Sequence, residues 1–345
     1  MPTPPLTDAD LDEAVAALEA CAGNKTEAAA TLRLPRGTFC HRLALAQSRP
    51  PRPPEPVLPH IPDDDISVEE LIDQQCRRFE KRHSHQAAKK WAAITMPDDR
   101  PFGVAWIGDP HVDDNGCNWP LLKRHCELLA STEGCYAANV GDTENRWVGR
   151  LMALWAEQDT SQGSAWKLAK WLLEESGVHW LVWVLGNHDL WREGAALWRE
   201  ANRPQRVLLA EWGAQFKLVS PGAEFKIWMS HDFPGRSIYN SLHGPQRAAH
   251  MKEEADLYVA GHTHNWALHQ EESASKGFTY WLARARGYKW IDSHAERLGH
   301  QSQQEGASIL SVFDPKAVSL AGRVQCFADL EVGCDYLQWL RAKSG

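Results

Sequence analysis

Hydrophobic and polar positions alternate along this chain in two different textures. From Leu6 to Gln47 the apolar positions follow a helical period, with Leu11, Val15 and Leu18 on one face. Thr7 or Asp8 is placed to cap this first helix and Gly23 to end it. Asn24 or Lys25 opens a second helix, "KTEAAATL", and a break at Arg33 to Pro35 leads to a third, "RGTFCHRLALA". Residues 48–65, "SRPPRPPEPVLPHIPDDD", hold too many prolines for a helix and predict an extended spacer. "ISVEELIDQQCRRFEKRHSHQAAKKWAA" then predicts one helix, with Ser67 as cap and Glu70 completing a capping box. From Pro101 the texture changes. Apolar strand-like runs, "FGVAWIGDPH", "YAANVGDTEN", "HWLVWVLGNHD", "FKIWMSHDF" and "ADLYVAGHTH", alternate with helical segments such as "WPLLKRHCELLAS" and "GSAWKLAKWLLEES". That alternation predicts an α/β domain, with further strands in "FTYWLARARGYKW", "ASILSVFDP" and "GRVQCFAD". The expected organisation is helical residues 1–48, a Pro-rich linker at 49–65, a basic connecting helix at 66–100, and one large domain at 101–345.

Composition refines this picture in three places. A net charge of −8 over 345 residues argues against coating nucleic acid by bulk electrostatics, while leaving room for a local basic patch. Eight scattered cysteines with no CxxC pair and no signal-peptide pattern predict reduced thiols in a cytoplasmic protein. No apolar run approaches the length of a membrane span. Charge also switches locally: residues 1–22 are acidic, whereas residues 24–49 hold five basic residues and one acidic residue. Two short helices joined by a tight turn, with a basic second half, make a helix-turn-helix pattern that suits a phosphate-facing surface. A small helical bundle used for protein contact has the same outline.

The chemistry gathers at the ends of the five strand-like runs. They finish in Asp109 and His111; Asp142; Asn187 and His188; His231; and His262 and His264. Polar groups at the carboxyl ends of neighbouring strands are where an α/β sheet places its site. The spacings, about 30 to 45 residues, leave room for a strand, a crossover and the next strand. One such cluster alone is most often a satisfied turn. Five in order, each at a predicted strand end, point to a metal site. The remaining histidines, His125, His179, His243, His250, His269, His294 and His300, are not expected to be ligands.

The order D-x-H, GD, GNHD, H, GHTH resembles the calcineurin-like metallophosphoesterase family across roughly residues 101–345. The resemblance implies a four-layered α/β/β/α sandwich with two divalent metal ions at the strand ends. By matching motifs it implies Asp109, His111 and His264 on one ion, Asn187, His231 and His262 on the other, and Asp142 bridging. The mixed oxygen and imidazole donors suit Mn, Fe, Zn or Co. Hydrolysis of phosphate esters by metal-hydroxide attack follows, with His188 as general acid or charge stabiliser and Asp189 orienting a neighbour. One departure stands out. Phosphoprotein phosphatases of this superfamily carry Asp and then Arg after the GD motif, where "GDTENRW" offers Asn145 and Arg146. Asn145 is expected to hydrogen-bond the imidazole of His188, and Arg146 to reach the phosphate. "ARARGYKW" places Arg284, Arg286 and Lys289 near a strand end, either gripping a phosphodiester backbone or solvating an edge.

The N-terminal "GNKTEAAATLRLPRGTFCHRL" resembles the Fis-type helix-turn-helix family. The resemblance implies DNA binding through Arg36, Thr38, His41 and Arg42, and carries the expectation of a homodimer. Together the two resemblances imply a phosphodiesterase acting near DNA, a layout similar to phage-encoded proteins. Two alternatives remain at this level: a monoesterase or phosphoprotein phosphatase with a protein-binding N-terminus, and a DNA-binding regulator whose phosphoesterase domain is inactive.

Overall fold

A computed structural model describes residues 6–50, 57, 60, 65–203, 205–273, 277–291 and 306–344. Most of the Pro-rich segment, and with it His294 and His300, lies outside these residues. The chain divides into two compact units, residues 1–70 and 71–345.

The first unit contains α1 (Asp8–Ala20), α2 (Lys25–Thr31) and α3 (Arg36–Gln47). Thr7 caps α1 in a capping box with Asp10, and the Asn24 side chain accepts from the N–H groups of Thr26 and Glu27 at the start of α2. After α1, Gly23 turns the chain with φ +86°, a conformation that only glycine adopts without strain. Ala14, Ala17, Ala28, Ala29, Phe39 and Leu43 form the core of this unit. Four of those six are alanines, so the helices approach closely around the single Phe39 ring.

The long helix α4 (Val68–Lys89) straddles the division between the units. It is shorter than the connecting helix expected over 66–100. Trp91 adopts φ +53°, which ends the helix, and β1 (Ala92–Thr95) follows as a strand pairing in parallel with β6 (Gly213–Ser220). Edge pairing to an existing strand outweighs the helical preference of the two alanines at its start.

The second unit is a mixed α/β fold of two six-stranded sheets, consistent with a metallophosphoesterase sandwich. One sheet contains β2 (Phe102–Ile107), β3 (Cys135–Asn139), β4 (Trp180–Leu185), β5 (Leu208–Glu211), β11 (Ile309–Phe313) and β12 (Val324–Phe327), in the order β12-β11-β2-β3-β4-β5. β2 to β5 are parallel, and β11 and β12 extend the edge antiparallel. The other sheet adds β7 (Ala223–Ser230), β8 (Leu257–Ala260), β9 (Ala267–Ser273) and β10 (Phe278–Arg284), in the order β1-β6-β7-β8-β10-β9. Val104, Trp106, Val182 and Val184 from the first sheet meet Phe216, Ile227, Met229 and Val259 from the second in one buried layer.

Helices cover the outer faces. α5 (Trp119–Ser131), α6 (Gln162–Glu174), α7 (Asn187–Leu190) and α8 (Gly194–Ala201) follow strands of the first sheet, and α9 (His243–Met251) packs on the second. α10 (Leu320–Arg323) precedes β12, and α11 (Leu330–Lys343) returns to the first sheet. The strand patterns record this covering. β2 is buried at every position, as a strand covered on both faces must be, while β6 and β7 alternate, because no helix of α9's kind seals their outer side. Among the described residues, no helix is long and apolar enough to cross a membrane.

Candidate metal centre

Each cluster foreseen at a strand end sits at a strand end. Asp109 and His111 follow β2, Asp142 follows β3, and Asn187 and His188 open α7 after β4. His231 follows β7, and His262 and His264 follow β8. The first three strands belong to one sheet and the last two to the other, so the loops meet where the carboxyl ends of both sheets converge.

Two groups of donor atoms result. Asp109, His111 and His264 form one, and Asp142, His231 and His262 the other, with the donor atoms of each group within 4.8 Å of one another. Within the second group, His231 Nε2 lies 3.1 Å from His262 Nδ1, 3.2 Å from Asp142 Oδ2 and 3.2 Å from Asn187 Oδ1. Donors held at roughly 2.0–2.2 Å from a shared ion are spaced about that far apart. His231 Nδ1 donates to the Val140 carbonyl at 3.0 Å, which turns Nε2 toward the cluster. In the first group, Asp109 Oδ2 accepts the His262 N–H at 2.8 Å, leaving Oδ1 buried with no hydrogen-bond partner among the described residues, as is His111 Nδ1. Burial first, and then the neighbouring Asp142 charge, pushes the Asp109 carboxyl up to about 7. A fully buried carboxylate oxygen with nothing to accept from is what a cation would satisfy, so these residues fit the implied metal pair.

Electrostatics inside the cluster follow from crowding. Burial raises the Asp142 carboxyl, but the His231 and His188 imidazoles outweigh it and hold the group well below the usual carboxylate range. Burial drives His111 far below its ordinary value, with His188 and His264 adding to the shift, so the imidazole stays neutral and available as a donor. His262 is lowered by burial and by His231.

The backbone here is strained. Asp109, His111, Asp142, His262 and His264 all adopt left-handed φ, between 41° and 72°. Each such residue costs on the order of 1–3 kcal/mol. A weave of hydrogen bonds between the loops holds them: Asp109 N to Gly141 O, His111 N to Asp142 O, His188 N to Asp142 Oδ1, and Gly261 N to His231 O. Gly186 lets its loop approach this closely, since a Cβ there would lie 2.2 Å from Asp142 Oδ1. Asp189 is fully buried and accepts the N–H groups of Thr143 at 2.9 Å and Gly186 at 3.0 Å, tying the second loop to the third.

Two expectations are corrected around His188. Asn145 meets the imidazole through its backbone carbonyl, which accepts from His188 Nδ1, while its side-chain amide turns away to Asp114 Oδ2 at 2.8 Å. Arg146 does not reach the cleft. Its side chain is buried against Glu144, with Glu193 at 3.5 Å, because the buried Glu144 carboxylate needs a counter-charge and among the described residues Arg146 is the cation paired with it. Sequence reading missed what packs on His188: the rings of Trp147 at 5.1 Å and Trp191 at 4.2 Å. It also left Arg284 undecided. That guanidinium is buried and donates to Gly261 O, to Thr263 Oγ1 at 3.0 Å and to Ser241 O at 2.7 Å, with Asp232 at 3.4 Å. It therefore clasps the loops that carry His231, His262 and His264. Its place in "ARARGYKW", directly at a strand end, was the available signal. Lys289 of the same stretch is buried and pairs with Asp114 at 3.0 Å. His125 hydrogen-bonds Tyr288, and His250 faces Glu271 at 3.4 Å.

In the first unit, Arg36, Thr38 and His41 are exposed on α3. Arg42 is half-buried and pairs with Asp10 of α1 at 3.3 Å, so it serves the helix packing before any outside partner.

Residues 102–266 match the family model described as calcineurin-like phosphoesterase. That match makes the domain a hydrolase of a family that is dinuclear and metal-dependent. No family model marks the N-terminal helices, and no curated protein sequence matches the chain. Among solved structures, the NAD nucleotidase NadN of Haemophilus influenzae is 10% identical with a TM-score of 0.37, over 66% of this chain and 49% of its own. The chain thus spans about half the length of that nucleotidase. Vps29 of Chaetomium thermophilum is 12% identical with a TM-score of 0.33, over 66% of this chain and 95% of its own. The nuclease MPE of Pseudomonas putida is 14% identical with a TM-score of 0.29, over 65% of this chain and 87% of its own.

Proposed function

Starting from a calcineurin-like phosphoesterase domain at residues 102–266, we propose that the chain is a dinuclear metal-dependent phosphodiesterase acting on nucleic acid. The observation that carries the metal-dependent reading is the pair of donor clusters, tied to each other by the His262 N–H donating to Asp109 Oδ2 and the His111 N–H donating to the Asp142 carbonyl. Asp109, His111 and His264 would hold one ion; His231, His262 and the neutral amide of Asn187 would hold the other, and Asp142 would serve both. Mn, Fe, Zn and Co suit this donor set. The bound pair would neutralise phosphate oxygens and supply the nucleophile at neutral pH.

His188 contributes the proton. Its Nδ1 is committed to the Asn145 carbonyl, so its Nε2 faces the cluster, 3.9 Å from Asp142 Oδ2. In this role it protonates the leaving oxygen. The carbonyl fixes the tautomer in place of a carboxylate, and the Trp147 and Trp191 rings pack on the imidazole and hold its plane.

A diester substrate is favoured by what the site lacks. Arg146 is buried against Glu144, so the "GDTENRW" loop presents no exposed guanidinium to the second charge of a monoester dianion. Exposed Arg36, Thr38 and His41 on α3 support the further reading that the N-terminal helices bind duplex DNA as a helix-turn-helix, possession of which would raise the local substrate concentration. Hydrolysis of bis-p-nitrophenyl phosphate and p-nitrophenyl phosphate by the Mn-loaded chain tests the assignment. The diester is expected to be preferred; a clear monoester preference overturns the diesterase reading, and no hydrolysis of either overturns the enzyme.

A further inference from the structure

The outer side of β6 and β7 is only half-buried, and it forms the floor of a groove of about 1040 Å³. One wall is the C-terminal half of α4, which presents Lys81, Arg82, His85 and Lys89; the floor and far wall include Trp212, Gln215, Trp228 and Arg199. A second cleft of about 700 Å³ shares His85, Lys89 and Arg199 and continues toward Arg203 and Arg206. Among the described residues Glu211 is the only carboxylate lining either cavity, and Arg199 already pairs with it. Among the described residues Lys81 and Arg82 have no ion-pair partner, and neither is needed to hold the fold. Burial lowers the Lys89 ammonium, a cost that an anion in the groove would relieve. In a chain of net charge −8, a concave surface lined this way focuses positive potential.

The groove ends beside the metal cluster. Its lining reaches Ser230, the residue before His231, and Trp212, whose carbonyl accepts the His231 N–H at 2.7 Å. Trp212 is 53% exposed and holds a left-handed backbone, φ 64°. A ring this exposed at the mouth of a cationic groove has a face open for a base to stack on.

We propose that the groove under α4 binds single-stranded nucleic acid, with the phosphodiester backbone on Lys81, Arg82 and Lys89 and a base stacked on Trp212, leading the strand to the metal cluster. The concave shape favours a single strand, since a duplex is read by elements that protrude into its grooves. Delivery to the cluster rests on the phosphodiesterase reading above; binding itself does not. The groove belongs to α4 and the exposed side of β6 and β7, and owes nothing to the N-terminal helices.

Fluorescence anisotropy of a labelled oligothymidylate with the full chain in EDTA reads binding with hydrolysis switched off, so failure here and failure of the ester assay are distinguishable. The wild-type chain is expected to bind, with affinity falling steeply as salt rises. Lys81→Gln/Arg82→Gln/Lys89→Gln should weaken binding at least about tenfold and reduce the slope of log affinity against log salt by roughly 2, about 0.7 for each lost phosphate contact. Trp212→Ala should weaken it roughly 5- to 100-fold, with Trp212→Phe recovering most of the loss. Should Trp212→Ala fail to fold, the phenylalanine variant and a Lys81→Gln/Arg82→Gln variant, at exposed positions, still decide the matter. An unlabelled duplex should displace the strand at least about tenfold less well than the same strand unlabelled. No binding by the wild-type chain, equal binding by the triple variant, equal competition by duplex, or capture by phosphatidylserine vesicles in place of the oligonucleotide would each overturn the proposal.

Discussion

The metal cluster and the N-terminal helical unit are specified by their sequences in opposite ways. In the cluster, donor atoms from five loops on two sheets meet inside a buried space, and the residues beside them are as constrained as the donors. Gly186 has no room for a Cβ, Asp189 has both carboxylate oxygens committed, and five donors hold strained backbone. In the helical unit, six side chains make the core and four of them are alanine. Its outward face is set by exposed Arg36, Thr38 and His41, which nothing in the fold requires. Burial makes residue identity obligatory, while exposure leaves it to the partner. The difference predicts steep mutational penalties in one region and shallow, partner-dependent ones in the other.

The largest effect is expected at Asp142, the residue proposed to serve both ions. Asp142→Asn should reduce kcat on bis-p-nitrophenyl phosphate by about 10³-fold or more, since several kcal/mol of charge stabilisation would be forfeited and each 1.4 kcal/mol is roughly tenfold. Metal content by elemental analysis should fall with it. Full metal loading with wild-type kcat would remove Asp142 from the site.

His188→Ala should retain metal and lose about 10²- to 10³-fold in kcat on an ester with a poor leaving group. The deficit should shrink for p-nitrophenolate, which leaves without a proton. A uniform loss across leaving groups would mean that His188 stabilises charge and transfers no proton.

Arg284→Met sharpens the comparison from the side, because this residue is buried like the donors yet touches none of them. It is expected to weaken metal affinity about 10- to 100-fold by releasing the Gly261 carbonyl and the Thr263 hydroxyl. Arg284→Lys should not restore it, since one ammonium cannot reach the several acceptors that the guanidinium fork spans. Unchanged metal titration in the methionine variant would reduce Arg284 to ordinary packing.

How much of this was legible follows the same division. Asp109, Asp142 and His262 could be read because strand, glycine and donor appear together in each motif, and because five motifs in order have little structural reason to coincide. β1, β5, β6 and β9 were not foreseen. β1 and β5 are only four residues each, β6 alternates without a donor motif at its end, and β9, "ALHQEES", is two apolar residues followed by five polar ones. Arg146 was misplaced because a sequence shows that an arginine follows the GD motif but not that Glu144, two residues before it, is buried and needs a counter-charge. The Asn145 contact was half legible: the residue meets His188, but through its backbone carbonyl, which any residue at that position would supply. Backbone contacts leave no mark on residue identity, and the groove under α4 depends on where a helix ends, which Trp91 decides by its backbone conformation.

The smallest effects are expected in the helical unit, and they separate contact from packing there. Arg36→Ala should weaken binding of a random duplex only several-fold and lower the salt slope by about 1, the mark of one lost phosphate contact. Arg42→Ala should change the salt slope less, because its guanidinium is already paired with Asp10. Gel shifts at several salt concentrations distinguish the two. Salt-independent or absent duplex binding by the wild-type chain would assign α3 to protein contact, and the exposed face of that helix would then be shaped by a partner surface instead of a phosphate backbone.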